Sequence, residues 1–299
     1  MSLIIDVQQL TKRYGDHTAL SEVNFTLEKG APVALVGPNG AGKTTLFSLL
    51  CGYIQPSIGD INILGHSPGS SALFGRLSAL PQDAQLDPRF SIATQLSFYA
   101  RLQGMSRKLA TRDTARVLEM VALSDAANSK PSELSHGMRK RATIAQALLG
   151  SPEIVMLDEA TAGLDPNNAK EIRAIVAEQA SEVNFILSSH DLSELERLCD
   201  RVLYLENGVL KQHKTLGNND VSRFITLRMK QNYVELMPEI LKISGVTQAS
   251  MTQDKEYLLT ISNEERNSHI ELELLTMLAK NNWSYAQLIN GKTLENQLF

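Results

Sequence analysis

One strand–loop–helix pattern near the amino terminus constrains the fold of this chain more than any other feature. The apolar run 31–36 leads directly into Gly37–Thr44, which fits the pattern G-x-x-x-x-G-K-[ST]. Such a run is typical of a strand that is buried on both faces of a parallel sheet. A helix is expected next, over about 44–51, ended by Gly52. The segment therefore predicts an α/β fold built on a parallel sheet.

The loop in this pattern has the chemistry of a phosphate site. Its glycines let backbone N–H groups approach phosphate oxygens without an obstructing Cβ, and the following helix directs its positive N-terminal end at the same anion. Lys43 supplies a mobile charge for the β- and γ-phosphates, and Thr44 offers a hydroxyl to Mg²⁺. The predicted nucleotide-binding residues of this loop are Gly37, Pro38, Asn39, Gly40, Ala41, Gly42, Lys43, Thr44 and Thr45.

A second apolar run, 154–157, ends in two carboxylates, Asp158 and Glu159. Because adjacent side chains of a strand point in different directions, the two carboxylates are free to take separate roles. Asp158 is suited to hold Mg²⁺ through water, and Glu159 to act as the general base on the attacking water. An acidic pair alone is more often a solvated strand end. Together with a phosphate loop, it indicates nucleotide hydrolysis.

Further motifs occur in an order that resembles the ABC (ATP-binding cassette) ATPase family over roughly the first 215 residues. The resemblance places Tyr14 where the family has an aromatic that stacks on adenine. It places Gln82 where a glutamine contacts Mg²⁺ and the attacking water. Leu134–Met138 resembles the LSGGQ signature, Asp165 belongs to a stretch that resembles the D-loop, and His190 resembles the switch histidine. This resemblance implies an ATP- and Mg²⁺-dependent ATPase with a RecA-like core, an antiparallel β subdomain and a helical subdomain.

The resemblance also implies that the signature acts on a neighbouring subunit. Ser135 and the N–H of Gly137 are expected at the start of a helix. A helix N-terminus is an anion site, here for the γ-phosphate held by another subunit's loop. A head-to-tail dimer that closes on ATP and opens after hydrolysis is therefore expected. A homodimer is favoured, and a related second subunit stays open as the alternative.

Length and composition favour two domains: the chain has 299 residues, of which 43% are hydrophobic. A nucleotide-binding domain is expected over 1–217, with its helical subdomain over about 87–150. The pattern is broken at Gly217–Asp220, and a small α+β domain is expected over 218–299. Its predicted order, βαββαβ with a first helix at about 233–243, suits a ferredoxin-like fold.

Two departures from the family pattern bear on the direction of transport. His136 and Met138 stand where the signature usually has glycine and glutamine, and similar variants occur in ATPases that serve type-2 export permeases. The ending Thr293–Phe299 resembles the "SLEDVF" ending of drug-exporter ATPase subunits. Both resemblances imply export. The ATPase of an importer and a non-transport ABC ATPase acting on a soluble assembly are the alternatives.

Charge and hydropathy limit the partners. The net charge is −4 with acidic and basic residues interspersed, so no direct contact with nucleic acid is expected. No apolar run reaches the roughly 18 residues needed to cross a bilayer, so a separate permease is expected to hold the chain at the cytoplasmic face of the membrane. The resemblance implies that this permease docks over about 82–105 and that the cargo contacts the permease only. Whether Phe98 and Tyr99 line the docking groove or pack inside the helical subdomain is open at this stage.

Overall fold

The structure is a computed structural model, and it describes residues 2–190, 195, 198–199, 201–215, 223–261 and 270–290. The chain divides into two compact units, Met1–Leu216 and Gly217–Phe299. Two stretches used in the sequence analysis, 217–220 and 293–299, lie outside the described residues.

A six-stranded sheet forms the centre of the first unit. Its strands are β3 (Val33–Val36), β5 (Leu77–Leu80), β6 (Ile154–Leu157), β7 (Asn184–Ser189), β8 (Arg201–Glu206) and β9 (Val209–Thr215). They lie in the order β5-β6-β7-β3-β8-β9. All neighbouring pairs are parallel except β8 and β9. Every residue of β3 and β6 is buried, which confirms the prediction of doubly covered parallel strands.

A second, antiparallel sheet of the first unit contains β1 (Leu3–Tyr14), β2 (His17–Glu28) and β4 (Ile58–Ile63), in the order β2-β1-β4. The sequence pattern did not predict β4 or β5. Three of the six β4 residues are exposed, and three of the four β5 residues are only partly buried. The alternation of exposed and buried residues in β4 is confined to 60–63, and β5 has only one fully buried residue, so neither run is long enough to stand out in the sequence.

The described part of the first unit also includes five α-helices with defined bounds: α1 (Lys43–Leu50), α2 (Ile92–Leu102), α3 (Arg107–Met120), α4 (His136–Ala147) and α5 (Pro166–Gln179). The three between residues 87 and 150 are those expected for a helical insert. Each begins after a serine, Ser91, Ser106 or Ser135, whose hydroxyl accepts a backbone N–H of the first turn. A serine at this position satisfies one of the free N–H groups of a helix start, which is why the helices begin there.

The described part of the second unit contains an antiparallel four-stranded sheet and two helices. Its elements in chain order are β10 (Arg223–Met229), α6 (Leu236–Ile240), β11 (Val246–Gln253), β12 (Glu256–Ile261), α7 (Ile270–Lys280) and β13 (Tyr285–Asn290). The strands lie in the order β11-β12-β10-β13. Its apolar core includes Ile225, Leu227, Leu259 and Leu274, none of which is accessible to solvent.

The helix expected at 233–243 is shorter in the structure, where α6 covers only Leu236–Ile240. Pro238 explains the difference, because proline is tolerated in the first turn of a helix and disrupts the interior. A helix beginning at residue 233 would have placed this proline in its second turn. None of the helices in the described part of the chain has the length and apolar character that a bilayer crossing demands.

Candidate active site

The candidate catalytic residues follow four neighbouring strands of the parallel sheet. The loop 37–44 follows β3, Gln82 follows β5, Asp158 and Glu159 follow β6, and His190 follows β7. The carboxyl ends of parallel strands share one edge, which is where open α/β sheets bind their ligands. The topology therefore gathers residues from positions 37 to 190 at one place.

The loop 37–44 is held by backbone contacts that require glycine. Gly42 lies at φ 104°, and a Cβ there would be 2.7 Å from the carbonyl oxygen of Ala19. The carbonyl of Ala41 accepts the N–H of Gly208 at 3.0 Å, from the turn between β8 and β9. The loop is thus fixed by β2 and by the β8–β9 hairpin before any ligand is present.

A cleft of about 280 Å³ opens above this loop. The lining residues are Tyr14, His17, Ala19, Asn39, Gly40, Ala41, Gly42, Lys43, Thr44, Thr45, Gln82 and Glu159. His17 and Ala19 were not predicted, because they belong to no motif. The signal that could have indicated them is their place at the start of the strand that follows Tyr14.

Tyr14 is half-exposed at the end of β1, at the mouth of the cleft. The ammonium of Lys12 lies 5.1 Å from the centre of its ring, and the same Lys12 Nζ donates to the carbonyl of Gln55 at 2.7 Å. A cation over one face of the ring fixes its orientation.

Lys43 is buried at the start of α1. Its Nζ donates to the carbonyl oxygens of Gly37 at 2.7 Å and Pro38 at 3.3 Å, and lies 3.9 Å from Glu159 Oε1. Burial lowers the pKa of Lys43, and the carboxylates of Glu159 and Asp158 oppose that effect. A buried cation of this kind is poised for a polyanionic ligand, whose phosphates would replace the backbone carbonyls as partners.

The two carboxylates after β6 have different surroundings. Asp158 is buried and bonded to the hydroxyl of Ser188, and burial raises the pKa of Asp158 above its ordinary value. The Glu159 carboxylate lies between two basic groups, with its Oε2 2.8 Å from His190 Nδ1 and its Oε1 close to Lys43. Glu159 faces the cleft, so it is the carboxylate with access to a bound phosphate.

The signature residues lie elsewhere. Ser135 caps α4, and the following His136 lines a second cleft of about 320 Å³ together with Lys140 and the stretch 82–86. Gly137 packs so closely against Asn168 that a Cβ added to Gly137 would lie 1.8 Å from Asn168 Oδ1. Asn168 in turn donates to Asp165, which caps α5. Among the described residues, those that line the cleft above the loop 37–44 do not include Ser135, Gly137 or Asp165.

Comparison with known proteins identifies the family. Residues 20–162 match the family described as ABC transporter. The Nod factor export ATP-binding protein I of Burkholderia orbicola is 37% identical over 210 residues, which are 68% of this chain and 68% of that protein. The chain belongs to the ABC transporter family. It is an ATP-binding subunit that hydrolyses ATP for transport.

Other ABC transporter subunits support this assignment. The Nod factor export ATP-binding protein I of Rhizobium etli is 35% identical over 210 residues, 68% of this chain and 66% of that protein. A solved ATP binding subunit of an ABC transporter is 29% identical, with a TM-score of 0.64 over 71% of this chain and 90% of that one. The cbiO1 protein of Clostridium perfringens, part of an ABC transporter complex, is 26% identical, with a TM-score of 0.66 over 72% of this chain and 89% of that one.

Proposed function

We propose that this ATPase subunit works as a head-to-tail dimer that encloses Mg-ATP and drives export through a separate membrane permease. The observation that carries the dimer is the separation of two half-sites within one chain. Lys43 and Glu159 share a cleft with the phosphate loop, whereas the helix that begins at Ser135 presents its N-terminus elsewhere. A second subunit supplies the missing half, since a helix N-terminus stabilises an anion brought to it by a partner.

The signature helix is joined to the residues that resemble the D-loop inside each chain. The contact between Gly137 and Asn168, and the bond from Asn168 to Asp165, join the signature helix α4 to the start of α5. Binding of a partner's γ-phosphate at Ser135 would therefore also affect the position of Asp165. This route supports the cofactor-binding roles proposed for Ser135, Gly137 and Asp165 at the dimer interface.

Mg²⁺ is the metal that the donor atoms fit. Thr44 and Gln82 line the cleft, and Asp158 lies beside it with a carboxylate; all three offer hard oxygen donors. The described residues contain no group of three or more His, Cys, Asp or Glu that could hold a metal by itself. Mg²⁺ needs none, because it binds through one or two carboxylates together with substrate phosphates and water. When bound, the ion neutralises charge on the transferred phosphoryl group.

Hydrolysis is assigned to the residues that surround the γ-phosphate position. Glu159 accepts a proton from the attacking water, and His190, 2.8 Å from Glu159, orients that carboxylate. Lys43 stabilises the phosphate charge with its buried ammonium, and Gln82 orients the water from the opposite loop. Tyr14 stacks on the adenine, with Lys12 behind its ring.

Export is supported by the relatives and by the signature. The relatives from Burkholderia orbicola and Rhizobium etli bear the name of a Nod factor export protein. Met138 stands at the signature position where export ATPases have similar variants. Its backbone N–H donates to the Ser135 hydroxyl, as for an ordinary residue in the first turn of α4. The substitution therefore leaves the helix start intact.

The permease is proposed to dock over about 82–105 and to hold the chain at the cytoplasmic face of the membrane. Phe90 and Phe98 are 48% and 56% exposed. Aromatic side chains that stay exposed in a folded chain are typical anchors of an interface. The exposure of Phe98 favours the docking role for this ring, whereas Tyr99 is only partly exposed and the choice between docking and packing stays open for it.

The domain limits proposed are 1–217 for the nucleotide-binding domain and 218–299 for an accessory domain. The strand order of the second unit, with its first and third strands adjacent and antiparallel at the centre, is what supports a ferredoxin-like fold for it.

The test is recovery of the partners with a Glu159→Gln variant, which is expected to hold ATP in the closed dimer. The tagged variant is purified with ATP from gently solubilised membranes, beside a Lys43→Ala variant that is expected not to bind ATP. Recovery of a multi-spanning protein only with Glu159→Gln supports the transporter assignment, and its identity separates an exporter from an importer. Recovery of soluble assemblies alone refutes the permease and leaves a non-transport ATPase.

A further inference from the structure

A buried serine joins the two catalytic carboxylates to the strand that carries His190. Ser188 is 4% exposed and lies near the end of β7, next to β6, where Leu157 pairs with Leu187. Its hydroxyl donates to Asp158 Oδ1 and accepts the backbone N–H of Glu159 at 2.9 Å. One oxygen atom thus contacts both acidic residues.

We propose that Ser188 is a positioning residue for ATP hydrolysis, whose hydroxyl fixes the Asp158 carboxylate and the Glu159 backbone as one unit. The inference rests on the roles proposed above for Asp158 and Glu159. It adds a residue that belongs to none of the motifs used to find the site.

Asp158 is held by the Ser188 hydroxyl through its carboxylate. A buried carboxylate is stable only with hydrogen-bond partners, and here Ser188 occupies Oδ1. The bond fixes the rotation of the carboxylate and leaves the other oxygen to hold a water of the metal.

Glu159 is held by the same hydroxyl through its backbone. Its backbone lies at φ 49°, in the left-handed region that a residue with a side chain avoids. Such a conformation persists only where neighbouring groups hold it, and the N–H of Glu159 is held by Ser188. Because the backbone direction determines where the side chain points, this bond helps to place the carboxylate 2.8 Å from His190.

The strand geometry adds a third link. Ser188 and His190 are two residues apart at the end of β7. A displacement of this strand end would therefore move the hydroxyl and the imidazole together. The distance between base and histidine is then preserved by the same element that holds the backbone of the base.

The test compares Ser188→Ala, which removes both bonds, with Ser188→Thr, which keeps a hydroxyl. Thr114→Val is the matched control, because within the described residues the buried Thr114 hydroxyl has no hydrogen-bond partner. All variants are made in the full chain with Glu159→Gln, so that ATP is not consumed. The affinity of each variant for ATP is measured by calorimetry, first in EDTA and then at increasing Mg²⁺ concentrations. Turnover is measured with Glu159 restored, and unfolding is followed without ligand.

In EDTA, Ser188→Ala is expected to bind ATP with the affinity of the parent protein. When Mg²⁺ is added, the variant is expected to need about tenfold more of it to reach half of the increase in ATP affinity that the metal causes. Its kcat is expected to fall by about tenfold or more, since two bonds to the catalytic pair are lost. Ser188→Thr is expected to restore both properties. Thr114→Val is expected to match the parent protein.

Two results overturn the proposal. One is a Ser188→Ala protein with unchanged Mg²⁺ dependence and kcat. The other is an equal loss of affinity with and without Mg²⁺, which would mean general damage to the fold. Failure of the proposed function is visible separately, as a Glu159→Gln protein that turns over ATP like the wild type or recovers no permease.

Discussion

Substitution of Gly37 by alanine is expected to damage both nucleotide binding and folding. Gly37 directly follows the strand β3 and opens the phosphate loop. A Cβ at this position would lie 2.0 Å from the carbonyl oxygen of Leu205 and 3.1 Å from the Cβ of Ala41. Real Cβ contacts are essentially never below 3.0 Å, so the loop or the strand β8 must move by about 1 Å.

The sizes of the two losses, in stability and in catalysis, follow from the contacts of the atoms that would have to move. Leu205 has no accessible surface, and forcing extra atoms into a packed interior costs about 1–3 kcal/mol. The carbonyl of Gly37 also accepts the ammonium of Lys43 at 2.7 Å. A displacement of about 1 Å at a catalytic group costs about a hundredfold in rate. Gly37→Ala is therefore expected to lose about 2 kcal/mol in free energy of unfolding and about a hundredfold in kcat/KM.

The measurements are urea unfolding without ligand, calorimetric titration with ATP, and steady-state ATP hydrolysis. Gly30→Ala is the matched control, because a Cβ at Gly30 meets nothing within 4 Å and the backbone there does not require glycine. It should bind ATP like the wild type and be equally or slightly more stable. A Gly37→Ala protein that matches Gly30→Ala in all three assays would refute the reasoning.

Three further predictions concern stability. Arg228→Ala removes the guanidinium from the buried carboxylate of Glu256 and is expected to cost about 3 kcal/mol in unfolding, with Arg228→Lys losing less; equal losses for both variants would contradict the ion pair as the cause. Ser91→Ala removes the cap of α2 and should cost about 1 kcal/mol, seen as faster hydrogen exchange in the first turn of that helix; unchanged exchange would contradict it. The hydrogen bond from Arg89 lowers the pKa of Asp87 from 3.8 to about 2, so the pair stabilises the fold above pH 3.8 and the contribution is lost as the pH falls towards 2. The urea midpoint of Arg89→Ala should accordingly lie below that of the wild type at neutral pH and meet it under acid, and a gap that does not change with pH would contradict the assignment.

The sequence predicted the structure best where a buried apolar strand leads directly into functional residues. The runs 31–36 and 154–157 are apolar throughout because both faces of their strands are covered, so the pattern predicted β3 and β6 directly. The phosphate loop was equally visible, since few residue types fit its backbone. By contrast, β4 carries an exposed Ile58 and has only two buried residues, so its alternation is too short to indicate a strand.

The pattern of residues along the sequence could not predict contacts between distant segments. His17 lines the nucleotide cleft because β2 turns back along β1, which depends on how the two strands pair. Ser188 was predicted to end the strand before the histidine, and no role was predicted for it. Its significance arises only when β7 is laid beside β6 and brings its hydroxyl to Asp158.

The amino-acid sequence by itself determined the chemistry of this ATPase: a loop that only glycine permits, a lysine, two carboxylates and a histidine in family order. These features are local, because each depends on residue type and on spacing along the chain. The tertiary structure decided which of them meet. It placed Glu159 between Lys43 and His190 and kept Ser135 outside that cleft, because strand order in the sheet, which no local pattern encodes, sets the distances between segments.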